Sequence, residues 1–173
     1  MSTQARLASL LLIVFWASAA CFGQSQKRGP STAEERAKAV KIAQDLQTDP
    51  LSRSVQPERE WLIQWLIEIP DIGVDVCGGL LGDLGDKGTG YPGAILSAML
   101  GSEAAAIIEH PEKAKDKQEI YVAGVDGALN AYQAIRKQDS KYDAPKLDEF
   151  LARRNEGKLK DGVAEATKVL KCE

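Results

Sequence analysis

Few side chains in this sequence could carry out chemistry, and the acidic ones come first because enough of them are present to pair. Asp71 with Asp75, and Glu58 with Glu109, are combinations in which two carboxylates could divide acid and base roles. Hydrolysis of a glycosidic bond needs such a pair at a defined separation, often beside an aromatic platform, and Trp61 or Trp65 offers one. His110 is the only histidine, so a histidine-rich metal site is excluded, and any Ser-His or Cys-His nucleophilic pair must be built around it. Its position before Pro111 at a helix end has a simpler account, interaction with the negative end of the helix dipole.

The cysteines suggest covalent rather than catalytic chemistry. Cys21 closes the tetrapeptide Ser18-Ala19-Ala20-Cys21, which resembles a bacterial lipoprotein box with serine in place of the usual leucine, so Cys21 is a candidate lipidation site. If Cys21 is lipidated or removed with a leader, Cys77 and Cys172 remain, and an oxidising compartment favours joining them in a disulfide. Two buried free thiols are the alternative. Nothing resembles Cys-x-x-Cys, so a redox pair has no support.

Residues 78–93 contain seven glycines in sixteen positions, including a Gly-x-Gly-x-x-Gly from Gly88 to Gly93. A dinucleotide site would need a preceding strand and a later acidic strand end, whereas the surroundings read helical. Asp83 and Asp86 in the same stretch could meet a calcium ion, yet the alternating ligands and terminal glutamate of a helix-loop-helix calcium site are missing. No cofactor or metal is therefore assigned.

These residues must be positioned by helices. Ser31 and Glu34 have capping-box spacing ahead of a first helix that ends near Asp49-Pro50. Trp61, Leu62, Trp65, Leu66 and Ile69 recur at helical spacing in a second helix over 57–69, which Pro70 stops. The paired tryptophans form a candidate binding face for a sugar or an apolar ligand, although such spacing more often marks core. An irregular lead-in and a short third helix are expected near 76–84. Further helices follow from Tyr91 to Glu109, over 118–137, over 146–154 and over 159–170. In the helix over 118–137, Gly124, Gly127, Ala128 and Ala131 allow another helix to approach closely, as small residues do in packed helix pairs.

The fold class is thus all-α, an irregular bundle of six or seven helices with a Gly-rich loop. Arg6 followed by the apolar run 7–20 and small residues reads as a signal peptide over 1–23, too short for a permanent membrane span. A flexible tether over 24–30 and a single helical domain over 31–173 complete the organisation. The chain has 22 basic and 25 acidic side chains; losing Arg6 leaves 21 against 25, a net charge of −4. That balance gives no attraction to nucleic acid or to anionic membrane surfaces.

Glu60-Trp61-Leu62, Cys77, Glu109-His110-Pro111, Ala123-Gly124 and Gly157-Lys158-Leu159 resemble a group of small exported bacterial proteins of uncharacterised function. A looser similarity, through Tyr121-Val122-Ala123-Gly124-Val125 and the near-terminal cysteine, is to secreted immunity proteins of bacterial toxin systems. Neither resemblance implies an activity or supplies catalytic residues. The expected protein is exported, periplasmic or extracellular, and non-catalytic, binding another protein or serving the envelope. A binder of a small apolar ligand and a carboxylate-dependent hydrolase are the alternatives.

Overall fold

A computed structural model describes residues 28–77, 79–85 and 90–172. The signal-peptide reading, Cys21 and most of the expected tether lie outside these residues. Among the described residues there are six α-helices: α1 (Ala33–Thr48), α2 (Val55–Glu68), α3 (Pro92–Glu109), α4 (Lys117–Gln138), α5 (Pro145–Asn155) and α6 (Leu159–Leu170), with a 3-10 turn at Pro111–Lys113 between α3 and α4. The all-α expectation holds, with six helices.

α3 and α4 form the central antiparallel pair. Eleven of the 18 residues of α3 are buried, as expected for a helix apolar around its circumference rather than along one stripe. Small residues let α4 come close. A Cβ on Gly127 would overlap the Ser102 hydroxyl of α3, and one on Gly124 would meet Glu103 Cγ at 2.7 Å. Two cores flank this pair. On one side Met99, Tyr121, Leu129 and Tyr132 pack with Leu147, Phe150 and Val163 of α5 and α6. On the other, Ala104, Ile107 and Ile120 pack with Ile42 and Leu46 of α1 and with Leu62 and Trp65 of α2.

Polar residues of α4 bind the outer helices. Arg154 of α5 donates to Asp126 (3.1 Å), Asn130 (2.8 Å) and Gln133 (2.6 Å). Asn130 in turn donates to Gln47 of α1 at 2.8 Å, and Gln47 donates to Ser102 of α3 at 3.0 Å. One connected set of hydrogen bonds thereby joins four helices and fixes their register.

Three local expectations shift. The capping box is built one residue later, by Thr32 and Glu35, because Ser31 gives its backbone N–H and its hydroxyl to Asp71 at 2.8 and 2.7 Å. Thr32→Ala is expected to cost about 1 kcal/mol in urea denaturation, the usual worth of such a cap; an unchanged midpoint would mean that the Glu35 half of the box suffices. Arg28, inside the expected tether, is held by ion pairs to Glu35 and to Glu68. Finally, among the described residues of 76–84 no helix forms. Gly79, Gly82 and Gly85 take φ of 84°, 70° and 77°, a left-handed conformation that ends a helix wherever it occurs. Residues 72–77 run without regular structure, and isolated turns follow, Leu80 N–H to Cys77 O at 3.1 Å and Gly82 N–H to Gly79 O at 3.0 Å.

Candidate functional site

The four candidate carboxylates each have separate surroundings. Asp71 receives Ser31 and, at 2.8 Å, Arg36. Burial pulls its pKa upward, but these hydrogen bonds outweigh that effect and hold the carboxyl below its ordinary value. Asp75 pairs with Lys117 at 3.4 Å. Glu58 lines a hollow between α1 and α2 with Lys41 and Asp45, while Glu109 lines another beside Gln44 and Asp126. Neither Asp71 with Asp75 nor Glu58 with Glu109 converges on a shared cleft.

His110 caps α3, its backbone N–H donating to Ala106 O at 2.9 Å, and its exposed ring stands 3.6 Å from Glu112. The serine of the same hollow, Ser102, has its hydroxyl committed to Ala98 O and Gln47. No nucleophile–base pair is formed there.

Trp61 and Trp65 stack with ring centroids 5.5 Å apart and planes 15° from parallel. Trp65 is 1 % exposed and belongs to the α1–α2–α3 core. Its indole N–H lies by the Glu35 carboxylate without reaching hydrogen-bond geometry. The half-buried Trp61 carries Lys38 Nζ at 3.8 Å over its ring, a cation–π contact. The candidate binding face is therefore largely occupied by the protein itself, with α1 and α3 packed against it.

In the Gly-rich loop, Asp83 accepts the Gly85 N–H at 2.8 Å, an internal turn, and Asp86 lies outside the described residues. Among the described residues no cluster of three or more His, Cys, Asp or Glu side chains is placed to hold a metal. Tyrosines anchor the loop. Tyr142 donates to Leu84 O at 3.0 Å and meets Tyr91 edge-on at 5.0 Å, and Tyr91 donates to Asp139 at 3.0 Å. The sequence reading missed this cluster. Its signal was weak, two tyrosines fifty residues apart that share no periodicity.

Cys77 and Cys172 lie at disulfide-bonding distance, with Cα atoms 5.5 Å apart. Around them the surface turns apolar. Val76 is 62 % exposed, Leu96 36 %, Val169 79 % and Leu170 40 %. Val76 and Leu96 line an open groove of about 310 Å³ with Leu81, Leu84 and Pro92. Val169 and Leu170 line a second, of about 270 Å³, with Ala166 and Lys146. Gly79 lies on both grooves, and Val76 and Leu170 meet again beside the cysteines. Two adjoining grooves thus carry exposed apolar side chains, bordered by Lys146, Glu149 and Glu165 in one and by Asp75 and Lys171 beside the cysteines, a grouping that bare sequence could not show because its residues come from the irregular segment, α3 and the last turn of α6.

A buried carboxyl was missed as well. Glu103 has no exposed surface, and neither of its oxygens has a hydrogen-bond partner. Burial pushes its pKa up to about 8; the Asp75 backbone N–H, which lies by the carboxyl without reaching hydrogen-bond geometry, opposes the rise, and the Asp75 charge adds to it.

Comparison of the chain with protein families, with curated proteins and with solved structures finds no match. Among the described residues no helix is long and apolar enough to cross a membrane.

Proposed function

We propose that the protein is an exported, non-catalytic helical domain that binds another protein through the apolar surface around Cys77 and Cys172. The observation that supports this reading is the grouping of Val76, Leu96, Val169 and Leu170 over two adjoining grooves. Contiguous exposed apolar area is unfavourable in water and is characteristic of interaction sites, whereas scattered apolar residues such as Ile67 need no explanation. The grooves are open and shallow, which suits side chains of a partner better than an enclosed small ligand. Export accords with cysteines paired over a long separation and with the apolar leader, from which Cys21 would provide a lipid anchor.

A photo-crosslinking residue at position 169, in cells that produce the protein, tests the reading. One discrete adduct is expected from position 169 and from position 76, and none from position 67, which is equally exposed but distant. Val169→Lys should leave the unfolding midpoint within about 0.5 kcal/mol of the parent, as surface changes do, and should abolish the adduct from position 76. Equal labelling from position 67, or no adduct from any position, would remove the basis for a specific partner.

A further inference from the structure

Glu103 is the only charged residue type among the fully buried described residues, and it lies where three parts of the fold meet. From α4, Gly124 leaves the room it occupies, since a Cβ there would come within 2.7 Å of both Cγ and Oε1. Also from α4, the Tyr121 phenol faces it, its own pKa raised by burial and by the charges of Asp75 and Glu103. From the irregular stretch 72–77 comes Asp75, the one charge that acts on the Glu103 carboxyl among the described residues. Asp75 itself is paired at the surface with Lys117.

The geometry points to a pH-operated latch, in which neutral Glu103 is sealed beneath the 72–77 strap and ionised Glu103 displaces that strap from the α3–α4 pair to reach water. The strap is the element that can yield. Its ends are fixed, by Asp71 on Ser31 and Arg36 and by Cys77 on Cys172, but between them it has no regular structure. Segments with few backbone hydrogen bonds open at far lower cost than packed helices. Moving α4 instead would break the Arg154–Asn130–Gln47 connections to α5 and α1. The strap carries Val76, so the latch also bears on the apolar surface proposed above, yet it stands on Glu103 and is tested without a partner.

The sign follows from linkage. The closed form holds Glu103 with a pKa of about 8 against 4.5 when it is hydrated. The closed form therefore binds more protons. Its advantage is complete below pH 4.5, falls about tenfold per pH unit between 4.5 and 8, and falls no further above 8.

The test is a carbon-13 titration of the Glu103 carboxyl in the unaltered protein, following the Val74 and Val76 methyl resonances, with Glu103→Gln as comparison. A Glu103 midpoint between about 6 and 8 is expected, because easier opening lowers it from the closed-state value. The two valines should shift with the same midpoint, and in Glu103→Gln they should not shift. The folding equilibrium should fall between pH 5 and 9 relative to Glu103→Gln, by about tenfold for a midpoint of 6 and by about 700-fold for one of 8. A midpoint below 5.5, parallel pH–stability curves for the two proteins, or valine resonances indifferent to the titration would each overturn the latch. Should Glu103→Gln fold poorly, Glu103→Leu supplies the same comparison, and the carboxyl titration needs no variant.

Discussion

Replacing Cys77 and Cys172 together with alanine is expected to lower the unfolding free energy by about 4 to 5 kcal/mol. The link spans a sequence separation of 95 residues, so its removal returns a large amount of conformational freedom to the unfolded chain. A second loss adds to the first. Cys77 is 6 % exposed and packs in the core with Leu80 and Leu81, and without the link these contacts and the Tyr142–Leu84 hydrogen bond must hold the glycine-rich turns in place. Domains of this size have about 5–15 kcal/mol in total, so the variant should be near its folding threshold at physiological temperature. Urea denaturation of the oxidised parent and of the double variant measures the difference. A change under about 1 kcal/mol would mean that the ends stay together by packing alone.

The second large effect is expected at the centre of the bundle. Gly127→Val should destabilise the protein by about 3 kcal/mol, at the upper end of what overpacking costs. The new Cβ would lie on the Ser102 hydroxyl, and the Ala98 carbonyl is only 3.1 Å away. Ser102 is not free to turn aside, because its hydroxyl is held by Ala98 O and by Gln47. The backbones of α3 and α4 must then separate, which loosens both flanking cores at once. Ser102→Gly should relieve part of the clash. A double-variant cycle is expected to give a coupling of about 1 kcal/mol or more, and strict additivity would show that the two positions do not meet.

The helices were largely legible because their boundaries are written in local chemistry. Pro92 and Pro145 sit in the first turns of α3 and α5, where a missing N–H costs nothing, and the glycines of α4 announced a close neighbour. The capping box slipped by one residue because its choice depends on Asp71, forty positions away, which claims Ser31. The helix expected near 76–84 failed for a related reason. Apolar spacing there is adequate, but three glycines adopt positive φ, and which glycines do so is decided by packing against Tyr142 and Lys146.

Site features were less legible. The tryptophans stand out in the sequence, but whether a stacked pair faces water depends on Lys38 and on α1. Glu103 could have been noticed, since it is the lone charge among Ala98, Met99, Leu100, Ala104 and Ile107 in α3. Periodicity could not assign it inward without knowing that α3 is buried around most of its circumference. The apolar surface is a property of juxtaposition, with Val76 and Leu170 brought together through the cysteine pair that follows each of them.

The placement of the two cysteines also sets a schedule. Cys77 leaves a ribosome or a translocation channel well ahead of Cys172, which lies 95 residues later in the chain. At about 5–20 residues per second, the intervening chain takes roughly 5–20 s to follow. Throughout that interval Cys77 lacks Cys172 as a partner, and for most of it the central α3–α4 pair, which ends at Gln138, is incomplete. Closure of the Cys77–Cys172 link thus follows the emergence of all six helices, and its rate would report assembly of the bundle rather than formation of any single helix.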